Sequence, residues 1–151
     1  MRKLVTALAL TTFAGAVFAQ QALKPEEMIK YRKAGYSFMS WNMGKIKANI
    51  EGTYNKEQVV GAANLIAATA NSGMGALYGP GTDKEAGGQK TRVKPEFFKE
   101  QDKVRELAMT FIKEANELQK VAATGDAAAV KAQFGKTGES CKACHDKYRN
   151  D

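Results

Sequence analysis

The residues with the clearest chemical potential in this 151-residue chain lie near its C-terminus, at positions 141–145. Cys141 and Cys144 are the only cysteines, and His145, the only histidine, follows directly. Residues three apart share one face of a helix, so both thiols can bond to the two vinyl groups along one edge of a porphyrin. The next imidazole then lies below the macrocycle, within reach of its iron. This C-x-x-C-H pattern predicts one covalently attached haem c with His145 as an iron ligand.

Three other interpretations of these residues are weaker. A disulfide is possible in an oxidising compartment, but it would close a very small loop. A thioredoxin-like redox pair requires a βαβ context, which the sequence pattern lacks. A structural zinc site usually needs four ligands, and the chain offers three at most. Haem attachment is therefore the favoured interpretation.

The N-terminus is predicted to be a signal peptide covering residues 1–19. Two positive residues precede an apolar stretch over 4–17, and small residues, Val17 and Ala19, occupy the positions that a signal peptidase requires. The alternative, a membrane anchor, is disfavoured because the stretch is too short to span a bilayer comfortably. We expect cleavage near Ala19, export to the periplasm, and a mature single domain over 20–151 that does not insert into the membrane.

Helices must position the cysteines and the histidine. Apolar residues recur at helical spacing over 25–51, 56–77, 95–123 and 127–148, and no segment alternates like a strand. A long loop over 79–94 begins with Gly-Pro-Gly-Thr, and loops of that length often serve a site. The pattern predicts an all-α fold, an antiparallel left-handed four-helix bundle with the haem near the C-terminal helix.

The sequence pattern does not determine which residue, if any, is the sixth ligand of the iron. The chain has no second histidine, and a methionine on a helical stripe is more often part of the core than a ligand. An earlier helix would have to supply any ligand on the far side of the haem. The candidate thioethers are those of Met28, Met39, Met43, Met74 and Met109.

The whole mature chain resembles the class II c-type cytochromes, and within them the cytochrome c′ family. A C-x-x-C-H motif close to the C-terminus distinguishes class II from class I. The other matching segments are Gln21-Ala22-Leu23-Lys24-Pro25-Glu26, Lys30-Tyr31-Arg32, Gly79-Pro80-Gly81-Thr82, Phe134-Gly135, and Ser140 followed by the motif with Asp146, Tyr148 and Arg149.

The resemblance implies a high-spin, five-coordinate iron with His145 as its only protein ligand. It implies that Arg149 lies near the proximal face, that Arg32 approaches a haem propionate, and that Tyr36 covers the iron on the distal side. The alternatives are solvated helix charges for the two arginines and a core aromatic for Tyr36. Lys33 departs from the family, which often has Gln there, and its pairing with a propionate is a hypothesis.

Two functions follow from the resemblance, and the sequence does not choose between them. One is binding of small gases, nitric oxide and carbon monoxide, by the ferrous iron. The other is electron transfer, with an unidentified periplasmic or membrane redox partner, in its plainest form through a low-spin iron with a Met ligand. We expect no enzymatic activity, because peroxidase chemistry requires a distal acid–base group and the only histidine is used.

Assembly and charge complete the sequence-based picture. The resemblance implies a homodimer through the first two helices, on whose exposed faces we expect Ala48, Ala62 and Ala68. Without the two basic residues of the signal peptide, 21 basic and 16 acidic residues remain, a formal charge of +5. Because acidic and basic residues are interleaved, we expect no nucleic-acid site.

Overall fold

The computed structural model describes residues 22–150 as a helical protein. Its helices are α1 (Pro25–Glu51), α2 (Lys56–Ala70), α3 (Glu96–Lys99), α4 (Gln101–Thr124) and α5 (Ala127–Tyr148), with a 3₁₀ turn at Met74–Leu77. The predicted signal peptide lies outside the described residues. Within residues 22–150, extended pairing is limited to two isolated bridges, and no helix is both long and apolar enough to cross a bilayer.

The bundle consists of the four longer helices, each packed against its neighbour in sequence: α1 on α2, α2 on α4, and α4 on α5. Short connections at 52–55 and 125–126 make the joined helices antiparallel. The prediction of an all-α four-helix bundle is confirmed. The shared core contains Met39, Ile46, Val59, Ala62, Ala63, Ile66, Ala70, Ala115, Leu118, Ala122 and Val130.

Local sequence signals explain where these helices begin and end. Pro25 presets the first turn of α1, and the Glu27 carboxylate accepts a hydrogen bond from the Lys24 N–H at 2.9 Å. Asp126 caps α5 by accepting the N–H groups of Ala128 and Ala129 at 2.9 and 3.1 Å. Gly125, with φ at 83°, ends α4 in the left-handed conformation that glycine adopts without strain.

Three expectations need correction. The second helix ends at Ala70 instead of residue 77, because Gly73 adopts φ of 80° and a separate 3₁₀ turn follows. The third segment is broken at Glu100, between α3 and α4, where the backbone leaves the helical region. Ala62 is fully buried within the bundle core, so it is not part of an exposed face. Ala48 and Ala68 are exposed as expected.

The loop over 79–94 crosses from the end of α2 to the end of α5. Near its start, the buried Thr82 side chain donates to the Gly79 carbonyl at 2.8 Å. Near its end, the Lys94 N–H donates to the Tyr148 carbonyl at 2.8 Å, and the Asn150 N–H donates to the Arg92 carbonyl at 2.7 Å. The loop is therefore fixed to the chain immediately after His145.

Candidate functional site

Helix α5 presents the two cysteines and the histidine to one cavity. Cys141 and Cys144 are free, partly buried thiols, one helical turn apart, and His145 lines the same cavity. Just before them, the buried Ser140 hydroxyl donates to the Thr137 carbonyl at 2.7 Å. Among residues 22–150, no group of three or more His, Cys, Asp or Glu side chains is placed to hold a metal ion.

The cavity has a volume of about 1080 Å³ and lies between α1, α4, α5 and the 79–94 loop. Its volume is at the upper end of the roughly 300–1,000 Å³ typical of cofactor pockets. Aliphatic and aromatic residues of α4, among them Leu107 and Phe111, form part of its wall. All seven candidate site residues line it: Arg32, Lys33, Tyr36, Cys141, Cys144, His145 and Arg149.

The electrostatic setting of His145 favours a neutral imidazole. Partial burial lowers its pKa, and the positive charges of Arg149 and Arg92 lower it further, while Asp146 opposes them. The Arg149 guanidinium lies 3.4 Å from the imidazole Nδ1. A neutral imidazole is the form that ligates a metal, so the surroundings of His145 suit an iron ligand.

Burial also keeps the two thiols protonated. The pKa values of Cys141 and Cys144 are both raised, chiefly because burial disfavours the thiolate. The neighbouring Ser140 side chain partly offsets this rise in the pKa of Cys141. The two cysteines are thus set in an apolar wall that is not arranged to stabilise a free thiolate.

Tyr36 lies on α1 across the cavity from α5 and is 39% exposed. Burial among its neighbours, and then interaction with the Tyr78 hydroxyl, raises its pKa well above the usual value of 10.0. The phenol therefore stays protonated at neutral pH, and a protonated phenol is a poor iron ligand. Tyr36 can cover the centre of the cavity, but it does not offer a phenolate.

Arg32 is almost completely buried, at 4% exposure, which rules out a solvated helix charge. Its guanidinium donates to the carbonyl oxygens of Leu77 and Thr82 at 3.2 and 2.7 Å, and also to the Thr91 hydroxyl. A guanidinium carries five N–H donors, so two remain for another acceptor at the cavity. Arg149, by contrast, is exposed at the end of α5.

Sequence reasoning missed three residues around Arg32. The Tyr78 ring lies under the guanidinium of Arg32, whose central carbon is 4.5 Å from the ring centroid. The same ring stacks on that of Phe97, with the two centroids 4.3 Å apart. Thr82 and Thr91 anchor the loop through the hydrogen bonds already described. Thr82 belongs to the Gly-Pro-Gly-Thr segment and Tyr78 directly precedes it, so that segment was the available signal. Nothing in the sequence pattern singled out Thr91.

The five candidate methionines separate into two groups. Met39, Met43 and Met74 line the cavity. Met109 is 58% exposed on α4, and Met28 packs beneath the backbone of Gly79. A thioether ligand, if the iron had one, would come from the first group.

The residues present fit a covalent haem c. Two thiols one turn apart, the adjacent neutral imidazole and a large, mostly apolar cavity all belong to one continuous surface. Arg32 keeps free donors at that surface for an anionic group. When bound, a haem supplies a redox-active iron.

Comparisons with known proteins agree with this fit. The family model described as Cytochrome C′ matches residues 27–149. The cytochrome c′ of Allochromatium vinosum is 65% identical over 127 residues, which cover 84% of this chain and 82% of that protein.

Two solved structures are also similar. One is a cytochrome c′ described as having an unusual ligand-controlled dimer dissociation. It is 64% identical with a TM-score of 0.84, and the match covers 85% of this chain and 98% of that one. The other is the nitric oxide complex of a mutant cytochrome c′ from Alcaligenes xylosoxidans. It is 28% identical with a TM-score of 0.74, and the match covers 85% of this chain and 97% of that one.

Proposed function

This chain belongs to the cytochrome c′ family and carries one covalent haem c, and from that premise we propose that it binds small neutral gases at a five-coordinate, high-spin iron. His145 is the only protein ligand in this proposal, and Cys141 and Cys144 form the thioether bonds. Arg32 and Lys33 hold the propionates. The gases are nitric oxide and carbon monoxide, bound by the ferrous protein.

The mostly apolar lining of the cavity, which includes both Tyr36 and His145, is the observation that carries this proposal. Tyr36 stands there as a protonated phenol, and no second histidine exists in the chain. Diatomic gases need no hydrogen bonds to reach such a site, whereas water gains little there. Distal polarity and access determine whether a haem binds a gas or only passes electrons. A mutant of the related Alcaligenes xylosoxidans protein forms a nitric oxide complex, which supports the same chemistry here.

Enzymatic turnover is not part of the proposal. Among the described residues that line the cavity, none is an aspartate or a glutamate, and His145 is taken by the iron. Peroxidase chemistry needs a group that accepts and returns a proton beside the iron. Tyr36, with its pKa raised further from neutrality, performs that task poorly.

Visible spectra of the oxidised and reduced protein, with and without nitric oxide, test the proposal. We expect a high-spin, five-coordinate spectrum, and a change in the ferrous spectrum on adding the gas. A low-spin, six-coordinate spectrum would overturn it in favour of a plain electron carrier with a methionine ligand. In that case, separate Met39→Leu, Met43→Leu and Met74→Leu variants would identify the ligand by restoring the high-spin spectrum.

A homodimer through α1 is part of the same proposal. Tyr31, Phe38 and Trp41 are 50 to 57% exposed on α1, and their spacings of seven and three place them on one helix face. The rings of Phe38 and Trp41 stack with their centroids 5.4 Å apart, so they form an apolar patch before any partner binds. A close relative of this chain dissociates its dimer under ligand control, which supports a dimer here as well.

We further propose a periplasmic location for the mature chain, after cleavage near Ala19. Covalent haem attachment takes place outside the cytoplasm, and the N-terminal sequence has the three regions of a signal peptide. N-terminal sequencing of the exported protein tests this. Gln20 as the first residue is the expected result.

A further inference from the structure

The charged side chains that line the haem cavity are all of one sign. Five of its described lining residues are cationic and none is acidic. Arg32 is buried, but Lys33, Lys90, Arg92 and Arg149 are exposed. We call these four exposed side chains the cationic rim. They come from three parts of the chain: α1, the 79–94 loop and the end of α5.

Acidic neighbours do not neutralise the cationic rim. Within residues 22–150, the ion pairs join Lys47 to Glu51, Lys103 to Glu106, Lys120 to Glu117, Lys142 to Asp146, and Lys147 to Glu100. None of them includes a rim residue. Lys142 and Lys147, which flank the haem-binding residues on α5, are each paired with a carboxylate. The four rim residues thus bring their positive charges together at the cavity edge without an acidic partner among these pairs.

The fold holds the rim in place. The Asn150 N–H donates to the Arg92 carbonyl, and Val93 forms a bridge with Arg149, so the loop runs beside the end of α5. The buried Arg32 binds the Thr91 hydroxyl, between Lys90 and Arg92. These contacts fix the backbone that carries three of the four cations.

The haem itself does not cancel this charge. Its two carboxylates neutralise at most two of the five cations that line the cavity, and the buried Arg32 already faces the cavity with free donors. An excess of positive charge remains on the exposed edge, where an electron would enter or leave. Such a patch attracts an acidic surface and orients it during encounter.

We propose that the cationic rim docks the acidic face of a protein that exchanges electrons with the haem. This inference rests on the proposed presence of a redox-active haem in the cavity, but not on gas binding. In each encounter the reduced partner loses one electron and the ferric haem gains it, with no proton or bond transferred. The complex is of the weak, transient kind that buries less than about 1,200 Å².

Stopped-flow reduction of the ferric holoprotein by reduced plant-type ferredoxin, an acidic electron donor, tests the proposal. Each rate constant is divided by that for neutral reduced lumiflavin, which corrects for changes in the haem itself. We expect the corrected rate to fall steeply as ionic strength rises, because salt screens the attraction. We expect Lys90→Glu with Arg92→Glu to lower it about ten-fold at low ionic strength.

A matched control variant separates the effect of charge at the cationic rim from the effect of the net charge of the protein. Lys131→Glu with Lys136→Glu changes the net charge by the same amount, on exposed positions of α5 that do not line the cavity. We expect this variant to keep most of the wild-type rate. Equal slowing by both variants, or a rate insensitive to salt, would overturn the docking proposal. The visible spectra of the same samples report independently on the haem and its coordination, so the two proposals can fail separately.

Discussion

Arg32 and Tyr36 lie one turn apart on α1 and face the same cavity, yet their surroundings give them opposite properties. Arg32 is held by two hydrogen bonds to the loop, one to the Leu77 carbonyl, and the Tyr78 ring, so its position is fixed. Tyr36 is 39% exposed, and its hydroxyl interacts with that of Tyr78. Of the two, Tyr36 is therefore the less restrained side chain, and in the proposed function it is the one that moves aside for a gas.

Replacing Tyr36 with Ala should speed carbon monoxide binding to the ferrous protein about five-fold. Moving the phenol aside breaks an interaction of about 1 kcal/mol, and each 1.36 kcal/mol in a barrier is ten-fold in rate. Flash photolysis measures the association rate. Tyr31→Ala, which removes an exposed tyrosine from the same helix, should leave the rate unchanged. Unchanged kinetics in the Tyr36 variant would show that this residue does not guard the iron.

At the scale of elements, the 79–94 loop connects the two sides of the site. Arg32 of α1 binds the loop at Thr82 and Thr91, and the far end of the loop pairs with the chain after His145. The loop therefore connects α1, which lines the cavity, to α5, which carries the haem-binding cysteines and histidine. The bundle core alone does not explain this alignment, since α1 and α5 make few direct contacts.

The substitution Arg32→Gln should lower the free energy of unfolding of the holoprotein by about 2 kcal/mol. The carbonyl of the buried Thr82 loses its charged donor, and an unsatisfied buried acceptor costs about 1–3 kcal/mol. Guanidinium chloride titration followed by circular dichroism measures the change. Lys30→Gln, at an exposed position of the same helix, should alter stability by less than about 0.5 kcal/mol. Similar losses in both variants would contradict the anchoring role of Arg32.

The sequence predicted elements whose signals are local. Pro25 and Asp126 mark helix starts, and the C-x-x-C-H motif placed the haem on the last helix. Prediction from the sequence failed where the structure depends on residues that are distant in the chain but close in space. The seven residues after Ala70 continue an apolar pattern, but Gly73 turns the chain instead. Arg32 was expected near a haem propionate, with a solvated charge as the alternative, but the sequence did not predict the loop acceptors that bury it.

Ala62 was expected on an exposed face of the second helix but is buried in the core. Its substitution is therefore a direct test of core packing. Ala62→Leu should destabilise the protein by about 1–3 kcal/mol, because extra methylene groups in a filled core force side chains from their preferred rotamers. Ala68→Leu, on the exposed side of the same helix, should change stability by less than about 0.5 kcal/mol. Thermal unfolding of the holoproteins measures both. A larger loss for the Ala68 variant would contradict the described packing of α2.

At the scale of the whole molecule, the exposed apolar residues are unevenly distributed. Among the described residues, four large apolar side chains are at least half exposed. Three lie on one face of α1, and the fourth, Met109, lies on α4. The Lys45 ammonium lies 3.9 Å from the centroid of the Trp41 ring, so one basic side chain covers part of the patch. Contiguous apolar surface of this kind marks an interface on a protein, and a second copy of α1 would cover it.

Trp41→Glu should therefore convert the proposed dimer into a monomer. In a two-fold symmetric interface each residue occurs twice, so a buried tryptophan that contributes about 2 kcal/mol per copy weakens the dimer by about 4 kcal/mol, or roughly a thousand-fold in Kd. Sedimentation velocity of the holoprotein over a range of concentrations measures the shift. Met109→Glu removes a side chain of equal exposure from α4 and should leave the dimer intact. If both variants dissociate alike, or if the unmodified protein sediments as a monomer throughout, the aromatic face of α1 is not the interface.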